Sequence, residues 1–391
     1  MNAFQCPCLA LAVGTAIAVV APLTAAQVSV TNLVTDDQSA HAAKITDPGL
    51  VNAWGMSYSP GGSPFWVSSN GTGTSTLYSV NPTTQATTKL GLTVSIPGDG
   101  TVTGQVFNGN AAAFGADNFL FVNEDGTVSG WRGALGTTAE VLVAGSSANV
   151  YKGVALGAIA GNSYLYAANF RAGTIDVDKG TGGAPALTGT FTDPNLPAGY
   201  APFNIQNLNG TLYVTYAQQD STKHDEIAGA GLGLVDSFDL QGNLLARVAT
   251  GGTLDAPWGL AIAPSSFGAL SGALLVGNFG DGRINAYDVT THSFLGQILV
   301  AGGSALAIDG LWAIAPGNGG SAGSTAALYF TAGPDGESHG LFGVLTPVPE
   351  PATGMLLIAG LAGVGLWGRR HGEQIRRGGL VGDSPMRPPA N

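Results

Sequence analysis

Cysteine is missing from almost the whole chain: only Cys6 and Cys8 occur, both near the N-terminus. A body without cysteine has no disulfides and no thiol chemistry, even in an oxidising compartment. Charge is also scarce, at 10% of 391 residues, and positive charge is scarcest. Between Gln27 and Glu350 there are 9 Lys/Arg against 23 Asp/Glu, so this body carries about −14 against −11 for the whole chain. Non-specific nucleic-acid binding, which needs Lys and Arg to neutralise phosphates, is excluded. Acidic surfaces favour solubility and in some cases attract cations. Several catalytic signatures are missing too: no His-Glu-x-x-His, no phosphate loop and no Asp-x-Asp-x-Asp-Gly calcium loop. The histidines at 41, 224, 292, 339 and 371 are scattered.

Glycine, by contrast, is abundant, 61 of 391. It supplies the positive-φ positions of tight turns and disfavours helices, so many short strands are expected. Two terminal segments read as addresses. Leu9 to Val20 is apolar and is followed by Pro22 and Thr24-Ala25-Ala26. This is the layout of a secretory leader over residues 1–26, although its start carries no Lys or Arg. Near the other end stands Val348-Pro349-Glu350-Pro351. It is followed by an apolar, glycine-interspersed stretch, Met355 to Trp367, and by Arg369-Arg370. That stretch reads as a short hydrophobic helix, below the ~20 residues that span a bilayer comfortably. Residues 371–391 form a basic tail expected to be disordered.

Between these ends an apolar-then-Gly-rich unit recurs six times. The copies open at Asn52-Ala53-Trp54, Phe107-Asn108, Tyr151-Lys152-Gly153, Pro202-Phe203-Asn204, Pro257-Trp258-Gly259 and Gly310-Leu311-Trp312. Their separations are roughly 44 to 55 residues, the size of a four-stranded propeller blade. Residues 27–347 are therefore read as an all-β, six-bladed β-propeller. The sixth copy has no room for a fourth strand, and Val28 to Val34 is a strand without a blade, so the N-terminal strand is expected to complete blade six and close the ring.

In such a meander the start of the first strand and the end of the second share one face. The openers Asn52, Trp54, Asn108, Lys152, Asn204, Trp258 and Trp312 are therefore expected at one rim. With them come the turns at Asn70, Glu124, Asn169, His224-Asp225-Glu226, Asn278 with Asp281, and Glu337 to His339. The tryptophans serve equally well as blade packing, and Asn at strand ends as turn chemistry. Lys152, the only cation among the openers, pairs with an acid, recognises an anion or is exposed. Glu124, Asn169, Asn278 and Asp281 are candidate ligands for Ca²⁺ or Mg²⁺, since hard cations take carboxylate and amide oxygens.

Two resemblances rest on these residues. Pro349-Glu350-Pro351, the apolar stretch and Arg369-Arg370 resemble the PEP-CTERM sorting signal of Gram-negative bacteria. That implies transient insertion in the inner membrane, an exosortase as partner and a cell-surface or extracellular destination. One departure is the 21 residues after Arg370. Runs such as Val51-Asn52-Ala53-Trp54-Gly55, Glu124-Asp125-Gly126-Thr127-Val128 and Gly277-Asn278-Phe279-Gly280-Asp281-Gly282 resemble a bacterial family of uncharacterised exported propellers, related to the NHL-repeat and gluconolactonase-like groups. The resemblance carries no established catalytic residues. The expected function is an envelope or matrix protein, non-enzymatic, binding exopolysaccharide or a surface protein at the rim. The alternative is a divalent-cation-dependent lactonase or hydrolase.

Overall fold

The computed structural model describes residues 26–348. The leader (except Ala26), the sorting-signal residues Pro349, Glu350, Pro351, Arg369 and Arg370, the short apolar helix and the basic tail lie outside the described residues. Among the described residues no helix is long and apolar enough to cross a membrane.

The strands fall into six sheets around one axis, a six-bladed β-propeller. Blade one comprises Ala53–Ser57, Phe65–Ser69, Thr74–Val80 and Thr87–Ser95. Blade two is Val102–Phe107, Phe119–Asn123, Val128–Trp131 and Glu140–Val143. Blade three has three strands, Tyr151–Ile159, Asn162–Asn169 and Thr174–Lys179. The residues after it run on to blade four: Phe191 packs between Tyr166 of blade three and Phe238 of blade four, and its N–H donates to Gly242 O. Blade four is Tyr200–Leu208, Thr211–Gln219, Leu234–Phe238 and Leu244–Thr250, with Glu226–Ile227 added beside its second strand. Blade five is Pro257–Ile262, Leu274–Asn278, Ile284–Tyr287 and Phe294–Gln297.

Blade six consists of Leu311–Pro316, Leu328–Ala332 and Leu341–Pro347, and Gln27–Thr35 supplies its outer strand. That strand runs antiparallel to Leu341–Pro347, from Val28 opposite Pro347 to Thr35 opposite Leu341. Both ends of the propeller chain are thereby held in one sheet, so the ring closes through a ladder between sequence-distant strands.

Every innermost strand carries a β-bulge near its start, where one or two residues are left over against the second strand. The bulges hold Trp54, Thr103, Lys152, Phe203, Trp258 and Trp312. A bulge re-aims a side chain out of the pleat, and here it turns the residue onto the axis. Trp54 stacks on Trp312 with ring centroids 3.7 Å apart. Trp258 meets both edge-on, Phe203 meets Trp312, and the Lys152 ammonium lies 5.2 Å from the Trp54 ring centre. Blade two contributes Thr103, whose hydroxyl donates to Tyr151 O at 2.8 Å. The opener expected at Phe107-Asn108 is therefore corrected. The equivalent position is Thr103-Gly104, and Asn108 follows the far end of the inner strand, where its amide closes a turn onto Asp117 O.

The residue after most bulges is glycine because successive blades approach closely there. A Cβ at Gly55 would lie 2.5 Å from Thr103 O, one at Gly153 2.1 Å from Asn204 Oδ1, and one at Gly259 2.7 Å from Trp312 O. Gly153→Ala is expected to push blades three and four apart and to destabilise the fold by about 1–3 kcal/mol, the usual cost of overpacking. Equilibrium urea unfolding of the variant against the parent chain measures it, and an unchanged midpoint contradicts the close-approach argument.

Candidate functional site

The starts of the inner strands and the ends of the second strands bring a continuous polar chain to one mouth of the axial channel. Trp312 Nε1 donates to Asn52 Oδ1 at 2.9 Å. Asn52 Nδ2 donates to Glu337 Oε2 at 2.5 Å and to Asn70 Oδ1 at 3.3 Å. Asn70 Nδ2 donates to Glu124 Oε2 at 3.3 Å. Lys152 Nζ donates to Glu124 Oε1 at 2.5 Å and to Asp225 Oδ1 at 3.2 Å, and His224 Nδ1 lies 2.8 Å from that same Asp225 oxygen. Behind Lys152, Trp258 Nε1 crosses the axis to the Lys152 carbonyl at 3.2 Å. Five blades contribute side chains to this chain of contacts, with the aromatic cluster as its floor.

Lys152 is 1% exposed, Glu124 is buried, Glu226 and Glu337 are half-buried, and Asp225 is exposed. Burial alone would drive the Lys152 ammonium toward the neutral amine. The carboxylates of Glu124, Glu226 and Asp225 outweigh that and hold it well above its ordinary value. Lys152 is therefore a fixed cation at neutral pH, unsuited to act as a nucleophile or base. Burial pushes Glu226 up to about 7 in spite of Lys152, and Glu337 is raised for the same reason. Asp225 ends below its ordinary value, because Lys152 and His224 overcome its partial burial. One ammonium thus faces four carboxylates, two of which, Glu226 and Glu337, hold their protons more tightly than in water.

A carboxyl raised on folding stabilises the fold when protonated. That stability is fully present below the unfolded value of about 4.5 and is lost as pH rises to about 7. Glu226→Gln is expected to remove this slope and to raise stability at pH 8 by on the order of 2 kcal/mol. Thermal unfolding from pH 5 to pH 8 checks it, and parallel profiles for parent and variant refute it.

The sequence-derived candidates separate in space. Asn52, Trp54, Lys152, Trp258, Trp312 and Glu124 share the network or its floor. Asn204 lies within the inner strand of blade four, its amide donating to Trp258 O at 2.7 Å. His339 stands outside the network: its Nδ1 is 2.9 Å from Asp36 Oδ2, linking the blade-six loop to the end of the closing strand. The proposed ligand quartet does not assemble. Asn169 bonds Asn149 and Asp176, and Asn278 donates to Thr253 O and to Asp281 in its own turn. Strand-end asparagines here serve turn chemistry. Of His, Asp and Glu groups among the described residues, Glu124, His224 and Asp225 present ligand atoms within 4.8 Å of one another. That set fits a divalent cation poorly, because the Lys152 ammonium already bonds Glu124 and Asp225, and Ca²⁺ wants 6–8 oxygen ligands. Asp225, Glu226 and Glu337 stand in rim turns that the repeat alignment already brought to this face. Nothing in their spacing singled them out, since they meet only through ring closure.

Fold and rim together define a six-bladed propeller with a lysine-centred acidic mouth. Uncharacterized protein R648 of Acanthamoeba polyphaga mimivirus is 33% identical over 301 residues, covering 72% of this chain and 71% of that protein. The chain belongs to the family of that viral protein. Uncharacterized protein L690 of the same virus is 29% identical over 321 residues, 76% of this chain and 81% of that protein. These relatives correct the expectation of a bacterial exported family: the relatedness that the sequence shows is to giant-virus proteins. No family profile matches the chain. Solved structures of like fold include a PQQ-bound aldose sugar dehydrogenase from Streptomyces coelicolor, at 17% identity and TM-score 0.47, covering 82% of this chain and 98% of that one. A glucose dehydrogenase gives 11%, 0.49, 83% and 100% respectively. At these values the likeness is one of fold alone.

Proposed function

We propose that the protein is a non-catalytic binding propeller that holds a cationic or hydrogen-bond-donating group of an extracellular polymer or surface protein at the Lys152 mouth. The observation that carries this reading is the convergence of Glu124, Asp225 and Glu226 around one ammonium, with Glu337 joined to them through Asn52 and Asn70, over an aromatic floor. Lys152 neutralises only part of that charge, so a positively charged partner is attracted and an anion repelled. Export belongs to the same reading and is supported by the leader-like residues 1–26 and a body free of cysteine.

The test uses a lysine-rich oligopeptide and a glutamate-rich one as probes at physiological salt. The lysine-rich probe is expected to bind, and Glu226→Gln with Glu337→Gln to weaken it about tenfold, while Asp288→Asn on an outer turn leaves it unchanged. Equal loss in all variants, or equal binding of both probes, refutes a specific acidic mouth.

A second reading, a divalent-cation-dependent hydrolase, draws on the proximity of Glu124, His224 and Asp225. Stoichiometric Ca²⁺ or Mg²⁺ in the purified protein, with lactone hydrolysis lost on chelation, would establish it in place of the first.

A further inference from the structure

The axial channel has a second mouth, at the opposite ends of the inner strands, and its chemistry differs from the first. All six blades line a cavity of 420 Å³ there, within the 300–1,000 Å³ typical of small-molecule sites. Trp258 forms its inner wall, so the aromatic cluster that floors the Lys152 mouth also separates the two. Not one of the lining residues is Asp, Glu, Lys, Arg or His, although the chain carries 25 acidic groups. A charged ligand would give up part of its hydration here and find no counter-charge among the lining residues. This mouth therefore selects against ions of either sign.

What it offers instead is neutral polar chemistry beside aromatic surface. Gln206, half-buried on the inner strand of blade four, lines the cavity and makes no side-chain hydrogen bond among the described residues. Its amide both donates and accepts, as adjacent hydroxyls do. The Tyr58 hydroxyl donates to Pro316 O at 2.7 Å, which leaves its oxygen free to accept. Burial pushes the Tyr58 phenol up to about 12, so it stays neutral. Neighbouring amides are already committed: Gln105 donates to Gly55 O and Trp66 O, and Asn207 donates to Leu156 O. Those bonds fix the walls and leave Gln206 as a polar group with spare capacity in a cavity that Trp258, Tyr58 and Phe107 also line. A molecule with hydroxyls along its rim and an apolar C–H face satisfies both kinds of surface.

We infer that this mouth is a binding site for a neutral saccharide, distinct from the acidic mouth at Lys152. The two sites differ in charge as well as position, so their failures are separable. The test is calorimetric titration of the full chain with cellobiose, maltose and N-acetylglucosamine as neutral probes, and glucuronate as the anionic one. At least one neutral probe is expected to bind with Kd below about 10 mM, with glucuronate at least about tenfold weaker. Gln206→Leu, which keeps the volume and removes the amide, is expected to weaken binding about tenfold. Gln206→Trp, which fills the opening, is expected to abolish it, while Glu337→Gln at the other mouth leaves it unchanged. Unchanged thermal unfolding of both Gln206 variants, which lose no internal hydrogen bond, separates a local effect from a folding defect. The inference is overturned if no neutral probe binds, if glucuronate binds as well, if binding survives Gln206→Trp, or if Glu337→Gln removes it.

Discussion

Lys152→Met is expected to destabilise the propeller by about 3–5 kcal/mol at neutral pH, the cost of stranding buried charge when one partner of an ion pair is removed. Methionine matches the aliphatic stem, so the loss isolates the ammonium. Glu124 and Asp225 would lose their bonds to Nζ, and Glu226 its main favourable charge. The sign of the pH dependence follows. Carboxyls without Lys152 titrate higher in the folded than in the unfolded chain, so the penalty is small below about pH 4.5 and full above neutrality. Chemical unfolding at pH 5 and pH 8 should give the larger difference at pH 8. Equal differences would mean that only packing was lost. The shorter variant Lys152→Ala opens the space among the carboxylates, and millimolar Ca²⁺ or Mn²⁺ should then raise its melting temperature while leaving the parent chain unmoved. Lys152 thus acts as a resident cation, holding with one covalently attached charge what the acids would otherwise draw from solution.

Trp312→Ala should cost about as much, 3–5 kcal/mol, for a different reason. Trp312 is fully buried, stacked 3.7 Å from Trp54 and 4.1 Å from Phe279. Truncation leaves a void on the axis and removes the donor to Asn52 Oδ1, loosening the first link of the polar chain at the rim. Trp312→Phe keeps much of the stacking and loses the hydrogen bond, so about 1–2 kcal/mol is expected. Guanidinium unfolding ranks the two, and near-UV circular dichroism should lose intensity in the alanine variant as the stacked indole pair is broken. A loss below about 1 kcal/mol for Trp312→Ala would mean that the axis carries little of the fold's stability.

Much of this architecture is legible in the chain itself. The six Gly-rich copies define six blades, because each blade must repeat the same alternation of buried strand and tight turn. The unpaired strand Val28 to Val34 and the truncated sixth copy can only satisfy each other's edges. Blade two escaped the alignment because its axial residue is Thr103 rather than an aromatic, so the opener slid to Phe107-Asn108 at the wrong end of the strand. Local sequence also explains why Asn169 and Asn278 sit at strand ends: their amides close turns within their own blades.

Tertiary structure alone decided which of the many rim residues meet. Glu124, Lys152, Asp225 and Glu337 come from four blades, and no short-range spacing relates them. Their convergence depends on six bulges of one kind being carried around a closed ring to a common axis. The charge of Lys152 and the raised titration of Glu226 follow from that convergence, since burial and neighbouring charges exist only once the ring has closed. The contrast between an acidic mouth and a charge-free one has the same origin. Opposite ends of the same strands reach different surfaces, and the chain encodes that difference one residue per blade.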